Sequence, residues 1–184
     1  MQRSLVGSEM CIRDRAINQW SKQHGLEAYY KAKLESGSMG EFLESEMEMY
    51  GRAKFYLLHT FSHIIMKELE FSCGYPTASI CERLYYSDEM CGVLIYTADG
   101  AEGSMGGLVW QGQPQLIEGI ILSALQRATD CSADPLCWEN SDGLNKAACF
   151  SCAMVSETSC EQSNMGLDRR ALVDPEFGYF KDFV

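Results

Sequence analysis

The chain has 184 residues, 46% of them hydrophobic, and a formal charge of −11. Those values suit one globular domain whose core needs no staple for size alone, and no apolar run approaches the roughly 20 residues of a membrane span. The acidic balance repels phosphate and speaks against a nonspecific nucleic-acid binder.

Ser4 to Arg15, "SLVGSEMCIRDR", resembles the in-frame translation of a transposon-based library adapter, with Leu5 to Asp14 following its codons one by one. Residues 1–15 are therefore set apart as an adapter-derived scar, not native protein. Without Arg3, Arg13, Arg15, Glu9 and Asp14 the chain keeps 12 basic and 24 acidic residues, a charge of −12, and without Cys11 it keeps eight cysteines. The native start is expected to be missing, so the lack of a signal peptide says little about secretion.

Residues 16–50 read as the helical remnant of a longer chain. "GSMG" (37–40) predicts a turn, and "EFLESEMEMY" (41–50) predicts a short helix with Phe42, Leu43, Met47 and Tyr50 on one side and a solvated acidic face on the other. Arg52 to Phe71, "RAKFYLLHTFSHIIMKELEF", is apolar nearly all the way round, which predicts a central helix, with Gly74 as its left-handed cap and Pro76 barring continuation. "SICE" (79–82) has capping-box spacing and predicts a short helix, although "RLYY" suits a strand equally. Cys91 to Ala98, "CGVLIYTA", predicts a buried strand. A flexible loop, "DGAEGSMGG", follows, and then an amphipathic helix over Gln115 to Thr129 behind Pro114.

Cys131, Cys137, Cys149, Cys152 and Cys160 follow at spacing C-x5-C-x11-C-x2-C-x7-C. "CFSC" presents two thiols on one side of a tight turn, and two further cysteines complete a four-sulfur set, the pattern of a zinc site. The same spacing admits disulfides, an iron-sulfur cluster or a redox pair. All-thiolate zinc is closed to water, so a structural role is expected. Cys73, Cys81 and Cys91 lie in apolar contexts that suit buried free thiols.

"HTFSH" puts His59 and His63 on one helical face with Glu70 two turns beyond His63, a metal or acid-base constellation that lacks the internal glutamate of zinc peptidases. The plainer expectation is two hydrogen-bonded histidines at the edge of a core. The glycine loop carries neither a P-loop nor a dinucleotide motif. A hydrolase built on His59, His63, Glu70 and that loop is the rival reading, and it requires all of them to converge.

Together "YLLHTFSHIIMKELEFSCGYPTASICERLYY", "GVLIYTADGAEGSMGGLV", "CSADPLC", "LNKAACFSC" and "ETSCEQSNMGLDRRALV" resemble a helicase-associated zinc-binding domain long known only as a domain of unknown function. That family occurs at the C-terminus of Mrf-type DNA-repair helicases and in DrmB of the DISARM antiphage system, and the resemblance is closer to the DrmB-like branch. It spans about Tyr56 to Val173. It implies an α/β fold over 51–184, a single domain with a central apolar helix, a small sheet and a C-terminal cysteine-rich segment. It further implies zinc on four of the five cysteines, no catalytic residue, and a cytoplasmic accessory role beside a superfamily 2 helicase. DNA is then reached through that complex rather than by this acidic piece.

Overall fold

The structure is a computed structural model that describes residues 14–36, 44–87, 90–97, 107–140 and 143–184. Helices α1 (Asp14–Gln23), α2 (Leu26–Ser36), α3 (Glu44–Tyr50) and α4 (Ala53–Cys73) lead into strands β1 (Ile80–Tyr86) and β2 (Cys91–Thr97). Helices α5 (Leu108–Gln111), α6 (Pro114–Ala128), α7 (Leu136–Glu139) and α8 (Arg170–Val173) follow, joined beyond α6 by long irregular segments. The turn at 37–40, Phe42, Leu43, most of the glycine-rich loop and residues 1–13 of the adapter-like stretch lie outside the described residues.

Helix α4 is the axis of the molecule. An apolar stretch of this length with no polar face has to be covered from all sides, and α4 is buried without a break from Ala53 to Met66 and again at Glu68 and Leu69. Its neighbours are α6 and α8, both strands, and α1 to α3. It stops where the sequence predicts. Gly74 takes the left-handed conformation, φ 71°, and its N–H donates to the Glu70 carbonyl at 3.1 Å.

The strands form one antiparallel hairpin in the register Ile80↔Thr97 to Tyr86↔Cys91. "SICERLYY" is therefore strand and not the short helix its capping-box spacing suggested, because the β-branched and aromatic residues after Ser79 find a partner strand. Strand β2 forms as expected, but only Cys91 and Ile95 are buried in it. On the inner face of β1, Ile80, Glu82 and Leu84 point at α4's side of the sheet and all are buried. Cys91 is buried as expected, while Cys73 and Cys81 are half-buried, and none of the three is in a disulfide.

Residues of α1 and α2 enter the same core as α4. Ile17, Trp20, Leu26 and Tyr30 are all buried in that cluster. Tyr30 stacks on Tyr56 with ring centroids 3.9 Å apart and donates its hydroxyl to Asp168 at 3.1 Å. Burial, together with the Asp168 carboxylate, holds the Tyr30 phenol well above its ordinary value. Trp20 meets Tyr179 edge-on and donates its indole N–H to the Phe177 carbonyl. Trp20→Ala is expected to lower the unfolding free energy by about 3 kcal/mol in urea denaturation, the range of a large aromatic removed from a core. A loss under about 1 kcal/mol would mean that α1 is only loosely attached.

Candidate metal centre

Helix α6 ends at Ala128, and the chain then loses regular structure because its side chains are spent on a different kind of contact. Cys131 follows the helix, Cys137 sits on the single turn of α7, and Cys149 and Cys152 flank a tight turn in which Cys152 and Ala153 donate to the Cys149 carbonyl at 3.2 and 2.9 Å. Four sulfurs meet there. Cys131 to Cys149 is 3.5 Å, and Cys137 to Cys152 and Cys149 to Cys152 are each 3.7 Å, with all four inside 4.8 Å of one another. Sulfurs each about 2.3 Å from a central zinc stand about 3.8 Å apart at the corners of a tetrahedron. The observed separations match that edge and are far longer than a disulfide bond of about 2 Å.

Backbone N–H groups point at these sulfurs, as thiolates require: Ala133 donates to Cys131 at 3.4 Å and Cys149 to Cys152 at 3.2 Å. Burial pushes the Cys137 thiol up to about 11 and raises Cys152 as well. Cys149 is also penalised by burial, but hydrogen bonds from the Cys131 thiol and the N–H groups of Cys152 and Ser151 bring it down to about 7. A dication at the centre of the cluster is what allows all four sulfurs to ionise together.

Arg169, which sequence reasoning passed over, locks this region to the core. It is fully buried, and each of its nitrogens is used. Nε donates to Ala147 O at 3.1 Å, Nη1 to Ala128 O at 2.9 Å, and Nη2 to Asp134 at 2.8 and 3.1 Å, with Cys137 Sγ 3.8 Å away. The end of α6, the first cysteine loop and the "CFSC" turn are held by one guanidinium. The only sequence signal is the tandem Arg169–Arg170 inside an otherwise apolar stretch.

Cys160 is elsewhere. Its sulfur lies beside His59 and His63 of α4 and Glu82 of β1, all buried. The histidines are in the core, not at its edge, and each gives a ring nitrogen to a backbone carbonyl. Burial lowers His59, and it raises Cys160, to about 12, with the Glu82 carboxylate adding to the shift. Glu82 would be raised by burial, yet the two histidine rings that face it hold it below the usual carboxylate range. Glu70 is not part of this group; it lines a surface cleft with Lys67, Phe71 and Arg127. The hydrolase constellation therefore lacks its acid, and its glycine loop lies outside the described residues. The carboxylate that does reach the histidines is Glu82, which sequence reasoning missed and whose one local mark is a charge on the inward face of "ICERL".

The family model of the MrfA Zn-binding domain matches residues 61–153, half of the chain. The chain belongs to that family. It is also 44% identical over 124 residues to a DISARM protein DrmB of Bacillus paralicheniformis, an overlap covering 65% of this chain and 22% of the relative. The chain thus spans about a fifth of the length of that relative. The matched segment contains Cys131, Cys137, Cys149 and Cys152, and stops short of Cys160. The zinc-binding domain named by the family is in keeping with the accessory, non-catalytic role expected from the sequence. Among the described residues no helix is long and apolar enough to cross a membrane.

Arg169→Ala removes the lock and leaves Asp134 without its partner, so a stability loss of about 3–5 kcal/mol is expected. Thiol-reagent labelling of the four cysteines should speed up with it. Arg169→Lys should recover only part of both, because an ammonium cannot span three acceptor groups. Unchanged labelling in the alanine variant would show that the cysteine loops hold themselves.

Proposed function

We propose that the chain is a zinc-stabilised accessory module of a DNA-processing helicase system, of the DISARM antiphage or DNA-repair kind, in which Cys131, Cys137, Cys149 and Cys152 hold one zinc ion. Cys160 is then the sulfur left out. The convergence of four sulfurs at tetrahedral spacing, in a family named for zinc binding, carries the reading. An all-thiolate site has no position for water, and what its metal supplies is folding free energy for loops that lack secondary structure.

The module works by docking to a superfamily 2 helicase subunit or domain, and DNA is held by basic surfaces elsewhere in the complex. The charge of −11 supports this division of labour, since phosphate contacts need lysine and arginine. Two apolar side chains stand out beside the ligand cysteines, Leu136 at 80% and Phe150 at 75% exposure. Presented by turns that the metal fixes, they have the character of interface anchors.

The test is zinc content first and binding second. Residues 16–184 should carry zinc, and a chelator should melt the cysteine loops while exposing about four thiols. Leu136→Ser combined with Phe150→Ser should keep metal and fold yet weaken capture of the helicase subunit by tenfold or more, about 1.4 kcal/mol. Tight, salt-sensitive DNA binding by the chain alone would overturn the docking reading, and a zinc-free, folded protein would overturn the metal reading.

A further inference from the structure

The four buried groups around Cys160 share a geometry that core hydrogen bonding does not account for. His59 Nδ1 faces the Gly166 carbonyl at 3.2 Å, and His63 Nδ1 faces the Ala153 carbonyl at 2.9 Å. A carbonyl can only accept, so both Nδ1 atoms carry a proton, which in a neutral ring leaves Nε2 as a bare acceptor. Those acceptors point inward. Each lies 3.2 Å from Glu82 Oε1, and His59 Nε2 lies 3.2 Å from Cys160 Sγ.

Cys160 Sγ is itself an acceptor of two backbone N–H groups, Gln162 at 3.3 Å and Asn164 at 3.1 Å. The contact from the residue two positions on repeats that of Ala133 on Cys131 in the four-sulfur cluster. Two imidazole lone pairs, a carboxylate oxygen and a sulfur dressed as a thiolate thus converge within 4.8 Å, with no side-chain donor among them in the neutral-imidazole, ionised state. Nitrogen and oxygen ligands about 2.0–2.1 Å from a tetrahedral zinc stand about 3.3 Å apart, close to the separations seen here. Charge agrees too: one carboxylate and one thiolate neutralise a dication, which is what a fully buried site demands.

We propose that His59, His63, Glu82 and Cys160 form a second, closed metal site that binds zinc through two imidazoles, one carboxylate and one thiolate. The outer hydrogen bonds to Gly166 and Ala153 orient the rings, and the Ser62 hydroxyl holds the other oxygen of Glu82. The site pins the centre of α4 to the inner face of β1 and to the segment after Cys160. It is independent of the four-cysteine assignment.

The deciding experiment is metal stoichiometry together with zinc-edge X-ray absorption on the purified full chain. Two zinc ions per chain are expected, with an average first shell of about five sulfurs to three nitrogen or oxygen atoms, four sulfurs from one site and one from the other. Cys160→Ser should leave one tightly held ion in a purely sulfur shell. One ion per wild-type chain in an all-sulfur shell overturns the second site and leaves the first intact. One ion in a mixed shell supports the second site and overturns the four-cysteine reading instead. Should Cys160→Ser fail to fold, the wild-type stoichiometry and shell decide alone.

Discussion

A helix buried along most of its length must find partners for the polar groups it carries, and α4 carries several. Thr60 accepts the Asp168 N–H at 2.9 Å, His59 and His63 reach the carbonyls of Gly166 and Ala153, and Lys67 donates to the carbonyls of Phe150 and Met154 at 3.0 and 3.3 Å. Every one of those acceptors and donors belongs to the irregular segment after Cys149. The loops are folded onto α4 because α4's polar groups would otherwise be buried unsatisfied, at roughly 1–3 kcal/mol each. Hydrophobic burial fixes where the helix lies, and these contacts fix which loop lies where.

That arrangement explains why a long segment almost without regular structure is nonetheless buried. Leu167, Ala171 and Leu172 are fully enclosed. Asp168 accepts from Tyr30 and Arg170 and donates its N–H to Thr60 of α4, and Arg169 donates to three carbonyl or carboxylate partners. Gly166 stands at a tight point with φ 83°, where an added Cβ would come within 2.5 Å of Phe55 Cε1. Positive φ and this close approach both exclude a side chain, so the carbonyl that meets His59 is placed by a residue with no alternative.

Much of this was legible in the sequence. The central helix, its glycine cap, the second strand, the helix behind Pro114 and the cysteine cluster follow from periodicity and spacing, because each is a local pattern. The first strand was ambiguous, since a capping box and a β-branched run begin at the same serine and only the partner strand decides. Glu82 and Arg169 were missed for a common reason. Each is a charged residue whose side-chain partners are at least 19 and 22 residues away, so no local pattern contains those partners. Cys160 shows the limit of cysteine arithmetic: spacing groups it with the other four, while the fold gives it different neighbours.

The His63 to Ala153 contact has a mechanical side. Ala153 is the residue after Cys152, so one hydrogen bond ties the middle of the longest helix to the end of the "CFSC" turn, in a space that water does not enter. A protease or an unfoldase gripping the C-terminal tail would have to strip off Tyr179 and Phe180, then α8, before the load reached that bond. The cysteine loops come under load only after that segment has been stripped away.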